Sequence, residues 1–239
     1  MRVSTKRYQN LLSDAFPFTS LALVRFLKKK NRWSKRIPPW RVRQVQNFVI
    51  ALNATAFELE RARREGRTAT LAWSARNFLE LSIWTEYCST SEGNAKRFKD
   101  DTKCDLFGMV AAAKGARITP ELNQRVDDLL QRFERIFNTQ SFKISDEFKG
   151  VGKAARELDR EGEFFSHNKF LSKMAHPTAF IVNSKGTRRF DKRFQVAIFI
   201  EGVQFALKSM LALINFFMIH FPDQNPKRKW DTSRTISNP

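Results

Sequence analysis

At 239 residues, with 43 Lys and Arg against 24 Asp and Glu, the chain carries a formal charge of +19. The length allows one large domain or two small ones, and scarce Gly and Pro among many Leu, Ala, Phe, Arg and Glu point to mostly helix. Cys88 and Cys104 form no Cys-x-x-Cys pair and have no neighbouring histidine, which argues against a zinc site or a disulfide scaffold.

The basic excess bears on partners rather than fold, favouring nucleic acid, anionic lipid or an acidic protein over a solvated charge cloud. It is concentrated early. From Met1 to Phe57 there are twelve Lys or Arg and one acid, Asp14. Asp14, Pro17 and Arg25 interrupt the apolar residues of this segment, and no small-residue cleavage site follows, so a signal peptide is not expected. A cytoplasmic, reduced setting is the default. Residues 1–39 read as a basic arm holding a short helix from Ser20 to Lys30, ended by Pro38-Pro39.

A bundle domain is expected over residues 40–221. Its first helix runs from Trp40 to about Glu65, with Val42, Val45, Phe48, Val49, Leu52, Ala56 and Leu59 inward and Gly66 as the stop. Thr68–Cys88 follows after a very short turn, so the two should be antiparallel neighbours. This stretch contains no Gly or Pro and is apolar nearly all round, which predicts the central helix. Arg76 and Glu80 lie one turn apart on it, and if buried they need each other, so that Arg76→Ala would cost several kcal/mol or so.

Ser89 with Glu92 reads as a capping box opening a third helix to about Lys114, and Thr119-Pro120-Glu121 opens a fourth to Phe137. Residues 138–152 read as a loop, and a fifth helix is expected over Lys153–His176. A basic loop leads to a last helix, Asp191–Phe221, whose uncharged run from Ser209 is too short to span a bilayer. Lys208 and Glu201 interrupt any longer span, so a membrane helix is disfavoured. Residues 222–239 read as a polar basic tail. The fold class is therefore all-α, a single bundle of five or six helices with a long central apolar helix and a basic N-terminal arm.

Candidate chemistry is sparse. Gly-rich phosphate loops, GxSxG elbows and HExxH ligand spacings are missing from the sequence, so no cofactor and no metal are implied. Arg160, Phe164, His167, Leu171 and Met174 recur on one helical face, and His176 precedes Pro177 where that helix must stop. A core histidine for His167 and a C-terminal cap for His176 are the plain alternatives to a functional role. In the arm, Arg25, Lys28, Lys29, Lys30, Arg32, Lys35, Arg36, Arg41 and Arg43 carry charge for phosphates, while Trp33 and Trp40 offer rings for unpaired bases.

The segments ARNFLEL, YCSTSEGNAKRF and FLSKMAHPT resemble an uncharacterised bacterial helical family known only as a domain of unknown function. The matching positions are Ala75, Arg76 and Glu80, then Ala95 and Phe98, then Leu171, Ser172, His176 and Pro177, across about residues 45–215. Asn168 departs from the tyrosine more usual there. The resemblance implies a buried polar cluster of Arg76, Glu80, Ser172 and His176, either a structural lock or the remains of an active site. The family is itself loosely similar to the HEPN class, many members of which are RNA-cutting toxins or defence effectors with Arg, four to six residues, then His at a dimer interface. Arg160 to His167 fits the widest such spacing, and would imply a metal-independent ribonuclease in which one side chain removes the 2′-hydroxyl proton and arginine steadies the phosphate.

The expected function is thus an intracellular bacterial nucleic-acid-binding protein, RNA favoured over DNA, in its sharpest form an RNA-targeting toxin or antiphage effector of HEPN-like type. Whether it is an enzyme stays open, as does a protein partner or homodimer. The alternative is a non-enzymatic scaffold or interaction module whose basic surface meets an acidic protein or an anionic membrane.

Overall fold

The structure, a computed structural model, describes residues 5–12, 37–115, 119–137, 150–176 and 188–220. Eight helices and no strand occur among them: α1 (Thr5–Asn10), α2 (Pro39–Arg64), α3 (Thr68–Thr90), α4 (Glu92–Gly115), α5 (Pro120–Phe137), α6 (Val151–Glu157), α7 (Glu161–Ala175) and α8 (Arg188–His220). The expected count of five or six is corrected by two features, α1 and a break inside the expected fifth helix. The expected helix Ser20–Lys30 and the tail 222–239 lie outside the described residues.

Each boundary has a local cause. At the end of α2, Gly66 sits at φ 67°, with its N–H donating to Arg63 O and that of Arg67 to Ala62 O. This reversal satisfies carbonyls the helix leaves free, and glycine adopts the left-handed conformation at no steric cost. The same closure ends α6, but there Asp159 takes φ 56°, with Asp159 N donating to Arg156 O and Arg160 N to Ala155 O. Aspartate tolerates this region better than most residues, so no glycine marks the break. Residues 151 and 152, expected in a loop, are the start of α6. The box expected at Ser89 is not formed. Ser91 caps α4 instead, its hydroxyl accepting from Asn94 N at 3.0 Å, while the Ser89 hydroxyl turns back to Thr85 O.

α3 is the hub. It packs against α2, α4, α6, α7 and most extensively α8. Leu71, Ala75, Phe78, Leu79, Ile83 and Tyr87 are fully buried along it, whereas Trp73 is exposed. Burying each large apolar side chain is worth about 1.5–3 kcal/mol, which makes this helix the chief source of core stability. On α2 the expected inward residues from Val45 to Leu59 are buried, and Val42 is partly so. α8 contributes Ile198, Phe199, Val203, Leu213 and Phe216, and at Gly202 it comes so close that an added Cβ would sit 3.0 Å from both Leu59 methyls and 3.3 Å from Ala75 Cβ. Glycine there lets three helices meet.

By length and composition, Lys192–His220 is apolar enough to cross a membrane, with half of its most apolar window buried against the bundle. Its wet stripe is as the sequence suggests, with Gln204, Lys208 and Asn215 exposed and Glu201 half-buried. α1 packs on α8, and Leu12 and Ile37 are buried in the same core.

Candidate nucleic-acid interface

Two polar regions surround α7, and a groove lies on the far side of α3 between α2 and α4. The break at Asp159 places Arg160 just before the first turn of α7, aimed at α3. Its Nη1 donates to Glu86 Oε2 at 2.6 Å, its Nη2 to Ser82 Oγ at 3.1 Å and its Nε to Glu163 Oε2 at 2.6 Å. The side chain is only 11% exposed. Glu163 also accepts from Lys208 of α8. Burial alone would push the Glu163 carboxyl up, but the hydrogen bonds from Arg160 and Lys208 outweigh it and hold the group below its ordinary range.

One turn along α7, His167 Nδ1 lies 3.3 Å from Glu201 Oε2 of α8, and its ring meets Phe205 edge-on at 5.2 Å. The Lys208 ammonium sits 5.7 Å from the centroid of that same Phe205 ring. The contact with Glu201 does not meet hydrogen-bond geometry, and it is an ion pair only with the imidazole protonated. Desolvation raises the Glu201 carboxyl above its ordinary value, the opposing charge of His167 recovering only part. Between the unfolded and folded pKa the native state holds a proton that the unfolded chain lacks, so this group's contribution falls as pH rises through that window. Glu201→Gln is therefore expected to gain stability relative to the parent as pH rises from about 4 towards 7. Thermal unfolding across that range checks it, and a constant difference would count against it.

Arg160 and His167 thus share a helix without sharing a site. Arg160 turns to α3 and is held by two carboxylates and a hydroxyl, while His167 turns to α8. His167 with Glu201 is an acid–base pair in outline, but the guanidinium is committed to the fold rather than open to a phosphate.

On the other side of α7, Arg76 Nη2 lies 3.1 Å from Glu80 Oε1, and Arg76 Nε donates to Asn168 Oδ1 at 2.8 Å. Ser172 Oγ reaches the same Asn168 oxygen at 3.5 Å. Arg76, Glu80 and Ser172 are therefore gathered through Asn168. The ion pair is half-buried, at 30% and 31% side-chain exposure, and His176 is exposed at the C-cap of α7, its N–H donating to Ser172 O. Solvent screening at that exposure reduces the expected cost of Arg76→Ala from several kcal/mol to about 1 kcal/mol, measurable by denaturant unfolding.

Of the basic and aromatic residues singled out in the arm, Arg25, Lys28, Lys29, Lys30, Arg32, Trp33, Lys35 and Arg36 lie outside the described residues. Arg41 is turned inward, 4% exposed, with its guanidinium carbon 4.8 Å from the Phe216 ring centroid and Nη2 3.4 Å from Cys88 O. Burial lowers its pKa, the charge of Glu92 recovering part of that, and the guanidinium also meets the Phe216 ring and the carbonyl end of α3. Arg41 is thus a helix-end anchor, not a surface cation. Burial likewise pushes the Cys88 thiol far up, leaving it an inert core residue.

Trp40 and Arg43 do share a surface feature, a groove of about 460 Å³ between α2 and α4. Trp40 and Phe98 form its walls with Phe48 and Leu81 beneath, and Arg43, Asn47 and Lys99 are exposed along it. The Lys99 ammonium lies 5.3 Å from the Trp40 ring centroid, and Phe98 stacks on Phe48 at 5.4 Å and packs on Trp84 at 4.7 Å. Gln44 donates from Nε2 to Ala95 O at 2.9 Å, which ties α2 to α4. Lys99, Gln44 and Asn47 were not singled out from the sequence. The available signal was a helical one, since Trp40, Gln44, Asn47 and Ala51 recur on one face of α2.

The described residues contain no group of three or more His, Cys, Asp or Glu placed to hold a metal ion. Compared with protein-family models, curated proteins and solved structures, the chain has no match.

Proposed function

We propose that this protein binds nucleic acid, with single-stranded RNA the first candidate, and that it does so as a binding protein rather than a nuclease. The observation that carries this reading is the α2–α4 groove, where Trp40 and Phe98 stand beside the cations of Arg43 and Lys99 in a chain of charge +19. Aromatic faces with nearby cations suit unpaired bases and their phosphates. The commitment of Arg160 to Glu86, Glu163 and Ser82 speaks against its acting on a phosphate, as the HEPN-like reading requires.

Titration of a fluorescent single-stranded RNA across a salt series, with the same samples run on a denaturing gel, tests this. The expected result is binding that weakens steeply with salt and leaves the RNA intact. Cleavage that disappears in His167→Ala would instead support the RNA-targeting effector reading. Absence of binding at low salt would turn the basic surface towards an acidic protein or an anionic membrane.

A further inference from the structure

We infer that the α2–α4 groove seats an unpaired base of a single strand, so that the protein distinguishes bases from a bare phosphate chain. The inference rests on the nucleic-acid reading and adds to it a place and a ligand group. Its volume, about 460 Å³, falls within the range of roughly 300–1,000 Å³ usual for small-molecule sites. Its character is that of a flat-ring site. Phe98 is held between Phe48 and Trp84, at 5.4 and 4.7 Å, so this wall is backed by the core rather than free to swing. Trp40 is packed against the core as well.

The charges fit the same occupant. Arg43 and Lys99 stand at the groove, and no acidic residue lines it among those described. Lys99 at present covers a face of Trp40 at 5.3 Å. A base stacking on that face would take the place of the ammonium, whose flexible stem then brings it to the phosphate of the same nucleotide. One N–H of the Gln44 amide is given to Ala95 O, its carbonyl oxygen is an acceptor, and the exposed Asn47 amide offers both donors and an acceptor oxygen. A base in a duplex has its ring faces and pairing edge covered, so the groove requires a single strand.

The test uses the full chain and four probes at fixed salt. They are an adenine oligoribonucleotide, a strand of the same length and charge with abasic sites, a duplex, and free adenosine monophosphate. The expected order is the adenine strand first, with the abasic strand weaker by roughly 5- to 150-fold, the effect of losing one stacked base. Trp40→Ala should reproduce that loss for the adenine strand and leave abasic binding unchanged. Trp40→Phe, which keeps a ring and most of the packing, should recover part of it. Lys99→Ala should reduce the slope of log affinity against log salt by about 0.7.

Equal binding of adenine and abasic strands by the unaltered protein would overturn the base seat while leaving nucleic-acid binding in place. Free adenosine monophosphate binding as tightly as the strand would replace it with a nucleotide pocket. No binding of any strand at low salt would remove the nucleic-acid reading itself, and the inference with it.

Discussion

Replacing Arg160 with alanine is expected to lower folding stability by about 3 kcal/mol. The guanidinium ties the start of α7 to α3 through Glu86 and Ser82, and steadies Glu163, which Lys208 holds from α8. With 11% exposure at Arg160 and 22% at Glu163, water replaces these bonds poorly. Removing the cation leaves Glu163 with Lys208 alone, while Glu86, its side chain 43% exposed, is solvated by water. Arg160→Lys should be intermediate, because a single ammonium cannot reach three partners in a planar fork. The double variant Arg160→Ala with Glu163→Ala should cost less than the two single costs added, since the partner that suffers is then absent. Urea unfolding of the parent and of the four variants, Glu163→Ala alone included, measures this. An unchanged midpoint for Arg160→Ala would show a guanidinium free of the fold and return it to the list of catalytic candidates.

Phe216→Ala should cost more, about 3–5 kcal/mol. The ring is 2% exposed, packs edge-on with Phe217 at 5.7 Å and tilted against His220 at 4.5 Å, and supplies the face over which Arg41 lies at 4.8 Å. Truncation opens a cavity in the core and also removes the ring that lies against a buried cation. Arg41→Met behaves differently. It removes the desolvated charge and fills the space with a chain of similar length, so its own cost should be small, in the manner of buried charges replaced by apolar groups. Once Arg41 is methionine, Phe216→Ala should cost less than it does in the parent. Additive costs would show that the cation and the ring are energetically independent.

Much of the bundle was legible because period and punctuation agreed. α2 and α3 carry unbroken apolar periods, and Gly66 marks the reversal between them with the residue that makes left-handed backbone cheap. The break between α6 and α7 uses the same geometry at Asp159, and an aspartate between Leu158 and Arg160 does not announce it, so one helix was expected where two exist. α1, at six residues, is too short for a periodic signal. The site was less legible for a different reason. Arg41 and Arg43 count equally towards charge, yet they lie two residues apart on a helix and therefore on different sides, one beneath Phe216 and one at the groove. Arg160 meets Ser82 and Glu86 across separations of 78 and 74 residues, and no local pattern reports such pairings.

The place of α3 has a consequence for how the chain becomes structured. Its short reversal lets α2 pair with it early, but its most extensive partner, α8, begins only at Arg188. During vectorial synthesis the flank of α3 that α8 will cover has no mate until nearly all the rest has been made. For that interval the nascent protein presents an oily seam to the cell, a surface suited to chaperone capture or mispairing with another unfinished copy. Docking of α8 closes it, which makes this last joining step the natural point at which assembly becomes slow and concentration-sensitive.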